Sequence, residues 1–249
     1  MRHLLSLAYA LLITAGSIYT ATAESLEGAA QEILNAATAD KRREALVSAN
    51  LEHAPALLRA MTRDLATGTP EEYRRIPFIW RVSVAAGKQN QTEQIKAILE
   101  IALPQSHEPL HHWRAVVIGG GIIHGTSLQG VWPTERLTQI LESDAGLKAR
   151  WERSLGLATS MADDESVPTG TRYDALRMIA LLPWEQSREQ LLKYLGKGVH
   201  EELQQGAVSG LSDVKNTSIA ETLISHLGHF PPANRELALK ALVRDEQRL

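Results

Sequence analysis

Apolar residues recur along this chain at the spacing of helix faces. Residues three and four positions apart share one face of an α-helix, and several segments carry such stripes. Two of them are Leu57, Leu58, Met61 and Leu65, and Ile95, Ile98, Leu99 and Ala102. The sequence has no sustained period-two alternation and no Asn-Gly or Asp-Gly dipeptide, which are the usual signals of strands and hairpins. The pattern therefore predicts an all-α chain of about a dozen short helices.

Glycine and proline separate these stripes and mark the predicted helix ends. Gly68-Thr69-Pro70, Gly130 to Pro133 and Pro231-Pro232 are three of these breaks. Proline is favoured at the first position of a helix, where its missing N–H costs nothing. We therefore predict that Pro133 begins a helix.

Two apolar signatures recur in the C-terminal third at one offset. Positions 175–179 align with 207–211, and positions 191–195 align with 223–227, each 32 residues later. A third unit at 238–242 follows the second by 31 residues. Antiparallel helix pairs of about 30 to 45 residues are the unit of an α-solenoid. The offsets favour a solenoid of such pairs over an irregular helical bundle, which is the alternative.

The repeat is faint upstream of about residue 165. Residues 163–170 are compatible with an extended loop between repeats or with a boundary between two helical subdomains. We favour one continuous, partly degenerate repeat domain over residues 24–249, with its clearest repeats at 172–243.

Residues 1–23 have the three parts of a secretory signal. Arg2 supplies a positive start, an apolar run extends from Leu4 to Ile18, and Ala21-Thr22-Ala23 has the small-x-small pattern of a cleavage site. We expect cleavage near Ala23 and a periplasmic or secreted protein without a membrane span. A retained anchor is the alternative.

Composition narrows the classes of function. The 249 residues carry a net charge of −3, so no strongly basic field favours nucleic acid. There is no cysteine, which excludes disulfides, thiolate metal sites and covalently attached c-type haem. We expect no cofactor.

One stretch matches a catalytic pattern. His107-Glu108-Pro109-Leu110-His111 is a His-Glu-x-x-His sequence, in which two histidines on one helical face bind zinc and the glutamate acts as general base. Pro109 lies between the two histidines and disfavours a helix through Glu108. A zinc-dependent hydrolase or metal-binding protein, with Glu135 as a candidate third ligand and His112 or His124 as further candidates, is therefore our alternative prediction. Our first prediction assigns the chain no metal and no catalytic residue.

Glycines and tryptophans have structural explanations. Gly119-Gly120-Gly121 with Gly125 approaches a phosphate-loop spacing, but Thr126 replaces the required lysine. We predict that these glycines permit close approach between helices. We also expect the five tryptophans to wedge between neighbouring helices.

Residues 172–243 resemble HEAT/armadillo-like repeats. The resemblance rests on an Ala- and Leu-rich helix over 173–182, a charged link, and Leu191-Leu192-x-x-Leu195, with a second copy over 203–227. With the segment 113–121 included, residues 108–243 are similar to the helical region of planctomycete-type secreted dehydrogenase and haem-binding proteins. This implies an accessory role in a secreted or redox complex. Those proteins carry Cys-x-x-Cys-His, which this chain lacks, so no haem role follows.

The resemblance implies a binding surface along the second helices of successive pairs. At the offset of 32, these helices place six polar positions in register, and we call this set the polar ladder. It consists of Gln190, Lys193 and Tyr194 followed by Thr222, Ser225 and His226. We expect it to bind an extended segment of another protein, which makes the chain a non-catalytic protein–protein interaction scaffold.

Overall fold

α-Helices form the regular secondary structure, as the sequence predicts. The computed structural model describes residues 25–105 and 112–245, and within these ranges it contains no strand. The expected signal peptide over 1–23 lies outside the described residues. The described segments also contain no helix that is long and apolar enough to cross a membrane.

Within the described ranges, thirteen α-helices follow one another with short links. They are α1 (25–34), α2 (Asp40–Ala49), α3 (Ala54–Thr62), α4 (Pro70–Gln89), α5 (Thr92–Ala102), α6 (His112–Leu128), α7 (Pro133–Leu141), α8 (Ala145–Asp163), α9 (Thr169–Ile179), α10 (Trp184–Lys193), α11 (Glu201–Ser212), α12 (Ser218–His226) and α13 (Pro232–Leu242).

Local sequence signals set several helix ends. Thr69 caps α4 by accepting a hydrogen bond from the Glu72 amide at 3.2 Å, with Pro70 as the first helical residue. Helix α4 ends at Asn90, which adopts a left-handed conformation with φ of 54°. The prediction that Pro133 begins a helix is confirmed, because α7 starts there.

Five helices, α4, α6, α9, α11 and α13, contact one another in that order and form a single row. The contacts between α4 and α6 show that these two helices run parallel. Gly121 of α6 lies against Ser83 of α4, and Gly125, one turn later, lies against Gly87, also one turn later.

Two helices at the C-terminal end of the row, α9 and α11, are also parallel to each other. Gly206 of α11 lies against Tyr173 of α9, and Gly210 lies against Leu176, so α9 and α11 also run parallel. Equivalent helices of the row begin at regular intervals. Helices α9, α11 and α13 start at Thr169, Glu201 and Pro232, which are 32 and then 31 residues apart.

Helices α5, α7, α8, α10 and α12 form a second layer that returns the chain between members of the row, and α1, α2 and α3 precede it. Helix α5 joins α4 to α6, α7 and α8 join α6 to α9, α10 joins α9 to α11, and α12 joins α11 to α13. Each of them contacts a row helix that it connects. The fold therefore consists of two layers of helices around one apolar core.

Helix α6 lies at the centre of this core. It contacts α4, α5, α7, α8 and α9, and its apolar residues from Ala115 to Ile118 are fully buried, as are Ile122 and Ile123. A helix that is apolar on all sides belongs in the interior rather than on the surface. The low polarity of this segment thus matches its position.

Glycines set the distance between α4 and α6, which confirms the prediction made for them. A Cβ atom at Gly87 would lie 2.5 Å from the Ile122 carbonyl oxygen, and one at Gly125 would overlap the Val84 carbonyl oxygen. Both obstacles are backbone atoms that cannot rotate away. The two helices therefore approach this closely only with glycine at these positions.

A buried ion-pair network joins α9, α11 and the segment that follows α13. Arg177 donates to Asp213 at 2.9 Å, and the side chains of these two residues are 3% and 0% exposed. Arg244 donates to the other oxygen of Asp213, and also to Ser127 Oγ at 2.7 Å. Its guanidinium lies 4.6 Å from the centre of the Trp132 ring. Two arginines therefore share one buried carboxylate.

We expect Gly125→Ala to destabilise the protein by about 2–3 kcal/mol, because the added methyl group overlaps backbone atoms of α4. Gly156→Ala is the matched control. Gly156 is also within a helix, α8, but a Cβ there meets nothing within 4 Å. The free energy of unfolding of that variant should rise by about 0.5–1 kcal/mol, because alanine has less conformational entropy than glycine in the unfolded chain. Thermal unfolding followed by circular dichroism distinguishes the two, and equal effects would contradict the close contact.

We expect Asp213→Asn to cost about 3–5 kcal/mol, since it leaves the buried guanidinium of Arg177 and the partly buried guanidinium of Arg244 without their shared carboxylate. Urea unfolding at pH 7 measures the loss. The exposed pair of Glu236 and Lys240, separated by 2.6 Å, provides the control. Glu236→Gln should change stability by less than about 0.5 kcal/mol. A small effect of Asp213→Asn would show that the network does not hold the C-terminal helices together.

Candidate binding site

The structure does not test the predicted zinc motif. His107, Glu108 and His111 lie outside the described residues, and the side chain of His112 does so as well. His124 is described and lies on α6. Within the ranges 25–105 and 112–245, no three histidine or acidic side chains are grouped so as to hold a metal ion.

The polar ladder lies on α10, on α12 and at their C-terminal ends, in the second layer of the fold. Its members on α10 contact the end of α8, and its members on α12 make local contacts. Gln190 donates to the Thr159 carbonyl oxygen at 2.7 Å, and Lys193 pairs with Asp163 at 3.0 Å. Thr222 donates to the carbonyl oxygen one turn earlier in α12, and Ser225 donates to the Thr222 carbonyl oxygen.

Tyr194 differs from the other ladder residues because it is only 5% exposed. Its hydroxyl lies 2.7 Å from the Ala162 carbonyl oxygen and 2.5 Å from Asp163 Oδ1. This tyrosine therefore joins α10 to the end of α8. Lys193, Ser225 and His226 retain exposed or partly exposed side chains, and their role in binding stays a prediction.

A different surface gathers polar side chains from four helices of the row. A cavity of about 380 Å³ opens across α4, α6, α9 and α11, and we call it the Trp80 cavity. Its size falls in the range of small-ligand sites. The polar and aromatic side chains that line it are Trp80, His124, Tyr173, Asp174, Glu202 and Gln205.

The centre of this cavity is a contact between helices that are not neighbours in the row. Trp80 of α4 donates its indole N–H to Asp174 Oδ1 of α9 at 3.0 Å, across the surface of α6. Gly120 of α6 makes room for this contact. A Cβ atom there would lie 2.5 Å from Asp174 Oδ1 and 2.6 Å from its Cβ. The glycines of α6 therefore position the site as well as the helices.

Asp174 is 3% exposed, and its burial raises the pKa of the carboxyl group well above the usual range. The Trp80 hydrogen bond and the charge of Arg177 act in the opposite direction, while nearby Glu202 raises the pKa further. Burial dominates because an ionised carboxylate loses its hydration inside the protein. Burial therefore disfavours the ionised form of Asp174.

His124 forms the side of the cavity next to Trp80. The two rings stack with their centres 5.3 Å apart and their planes at 29°. Burial, with the nearby charges of Arg177 and Lys88, lowers the pKa of His124 to about 4. The imidazole is therefore neutral at pH 7. It contributes a polar ring but no charge to the cavity.

Glu202 and Gln205 lie at the exposed edge of the cavity on α11. Asp174 and Glu202 are its two acidic groups, and none of the described residues that line it is lysine or arginine. An aromatic ring, two carboxyl groups and an amide can bind a ligand through packing and hydrogen bonds. The site thus has the features of a binding pocket.

The sequence patterns do not identify Trp80 and Asp174 as partners. Trp80 fits the expectation that tryptophans wedge between helices, but its polar partner lies 94 residues away. One signal was present in α9. Asp174 directly precedes the buried run Ala175–Ile179 and follows Thr171, which is also buried, so an acidic residue lies within the buried stripe of its helix.

We predict that His124→Gln reduces the loss of stability in mild acid. A histidine whose native pKa is about 4 binds fewer protons when folded than when unfolded, where its pKa is about 6.5. The stability that depends on neutral His124 is therefore lost as the pH falls from about 6.5 towards 4. The full shift corresponds to about 3 kcal/mol.

Urea unfolding between pH 4 and pH 7 measures this effect. Between pH 7 and pH 4, the free energy of unfolding of the wild-type protein should fall by about 2–3 kcal/mol more than that of His124→Gln. His229→Gln, which changes an exposed histidine, should keep the wild-type slope. Parallel curves for the wild-type protein and His124→Gln would show that burial does not control the protonation of His124.

No family model, curated protein or solved structure matches the chain. The resemblance to HEAT/armadillo-like repeats stays a prediction, and so does the narrower resemblance to the helical region of secreted dehydrogenase and haem-binding proteins.

Proposed function

We propose that the chain is an α-solenoid of HEAT-like antiparallel helix pairs that acts as a protein–protein interaction scaffold without a chemical step. On the evidence of residues 1–23, we propose a periplasmic or secreted location after cleavage near Ala23. The alternative, a zinc-dependent hydrolase, depends on His107, Glu108 and His111.

The two layers support the solenoid. Helices of a solenoid's inner row run parallel, and each is followed by a helix that returns the chain to the next repeat. The contacts of α4 with α6, and of α9 with α11, have this direction. The starts of α9, α11 and α13 are spaced by the 32 and 31 residues that the sequence repeat predicts.

The main support for the scaffold function is that two clefts lie next to each other, with Trp80 lining both of them. The Trp80 cavity extends from this residue towards α11, and a second cleft of about 410 Å³ extends from it towards α2. Arg43, Arg81 and Lys88 line the second cleft. We call the combined surface the trough.

The dimensions of the trough suit an extended peptide. It crosses α2, α4, α6, α9 and α11, and packed helices lie at most about 8–10 Å apart here, so it is no longer than about 40 Å. An extended segment of about ten residues covers that length. Its two ends differ in charge. Arg43, Arg81 and Lys88 outnumber Glu44 near α2, whereas the end near α11 has the carboxyl groups of Asp174 and Glu202. A bound segment would therefore have a preferred direction.

Site-specific photo-crosslinking in the full chain tests the proposal. A photoreactive amino acid replaces Gln205 or Lys88 in the trough, Lys193 or Ser225 in the polar ladder, or Glu236, an exposed residue of α13 outside both surfaces. We expect the trough positions to crosslink one extended segment of a partner protein in the native envelope or medium, at least about tenfold above position 236.

The other crosslinking patterns are also informative. Crosslinks confined to positions 193 and 225 would place the partner on the polar ladder and contradict the trough. Crosslinks at no position above that of 236 would contradict the scaffold function on both surfaces. Mass spectrometry of the crosslinked peptide then gives the sequence of the bound segment.

A further inference from the structure

We propose that the Trp80 cavity binds the cationic side chain of a lysine or arginine in the partner's segment, with Trp80 against its aliphatic part and the carboxyl groups of Asp174 and Glu202 around its charged end. This inference rests on the proposed scaffold function. It assigns one place in the trough that selects a residue type in the bound segment.

The charges around the cavity favour a cation. Asp174 and Glu202 line it, and His124 beside them is neutral. Arg177 lies nearby, but its guanidinium is already paired with buried Asp213 at 2.9 Å. The described lining therefore has an excess of acidic groups. A positively charged group can enter without displacing an existing ion pair.

Asp174 provides the buried hydrogen-bond acceptor that such a ligand needs. Trp80 donates to Oδ1, and no described residue donates a hydrogen bond to Oδ2. The side chain lines the cavity although it is 3% exposed. A cationic donor that enters the cavity can therefore reach Oδ2 and form a charge-assisted hydrogen bond with the ionised carboxylate.

The apolar part of the cavity distinguishes lysine and arginine from a free inorganic cation. The indole of Trp80, with Ile76 and Pro77 beside it, covers the α4 side of the cavity. Long cationic side chains bury their methylene groups against apolar surface while the charged end reaches polar groups. The cavity has this combination, with the apolar residues on α4 and the carboxyl groups on α9 and α11.

Protonation of Asp174 couples to the binding step. Burial raises the pKa of Asp174 and so disfavours its ionised form. A cation stabilises that ionised form, so binding becomes tighter as the pH rises through the pKa of Asp174. Trp80 from α4, Arg177 from α9 and Glu202 from α11 act on this pKa, and Tyr173 of α9 and neutral His124 of α6 line the same cavity.

Nuclear magnetic resonance on the full chain tests the proposal with short peptides. The probes are acetylated and amidated Gly-X-Gly peptides in which X is lysine, arginine, norleucine or glutamate. The indole N–H resonance of Trp80 reports binding directly, because this group donates to Asp174. Trp80→Phe serves only to assign that resonance among the five tryptophans.

We expect the lysine and arginine peptides to shift this resonance with Kd values of about 1 mM, which corresponds to about 4 kcal/mol. The norleucine and glutamate peptides should bind at least about tenfold more weakly. Equal binding of norleucine would show an apolar pocket without charge selectivity. Tighter binding of glutamate, or no binding of any peptide, would also overturn the proposal.

Two variants test the assigned carboxyl groups. Glu202→Gln should weaken lysine binding about fivefold, whereas Glu201→Gln, which removes an equal charge from the neighbouring exposed position outside the cavity, should change it less than twofold. Asp174→Asn keeps the shape of the neutral carboxyl group, so it should fold normally and lose the increase of affinity with rising pH. Wild-type affinity with an unchanged pH dependence in Asp174→Asn would remove Asp174 from the site.

Failure of this inference and failure of the scaffold function give different results. Crosslinks at position 205 without selectivity for lysine or arginine would contradict the cation site alone. Selective binding of the cationic peptides without any crosslink in the trough would contradict the scaffold and support a site for a smaller cationic ligand.

Discussion

The close approach of α4 and α9 across the surface of α6 is the constraint on which this structure depends. Side chains of ordinary size on α6 would separate the two helices. Glycine at positions 120, 121 and 125 removes that obstacle, so that α4 lies against the backbone of α6 and Asp174 lies over Gly120. The hydrogen bond from Trp80 to Asp174 then becomes possible. One glycine-rich stretch therefore supports both the helix row and the cavity.

The helices could be predicted from the sequence because their signals are local. Apolar stripes identify the faces that pack into the core, and Thr69, Pro70 and Pro133 mark helix starts through capping and the fixed φ of proline. The structural role of the glycines was also predictable. Gly119 to Gly121 lie in a segment too apolar for a surface loop, and they lack the lysine of a phosphate site.

The candidate site could not be predicted in the same way, because it depends on which helices become neighbours in the row. Trp80 and Asp174 are far apart in the chain, and each alone has an ordinary explanation. The polar ladder illustrates the same difficulty. A common offset of 32 residues places Tyr194 in register with His226, but it does not show that the Tyr194 hydroxyl turns inward to the end of α8.

The carboxyl groups of Asp213 and Asp174 are both buried, but they have different partners within the protein. Asp213 is enclosed by Arg177 and Arg244, so its negative charge is fully matched within the protein and strengthens the packing of α9, α11 and the C-terminal segment. Asp174 is buried to a similar degree, yet it has a neutral indole as its hydrogen-bond donor and faces a cavity. A buried acid that is not paired with a cation costs stability, and a residue that served only packing would avoid this cost with a neutral side chain. The position of Asp174 is therefore better explained by a positive charge that arrives from outside the chain than by a contribution to the fold.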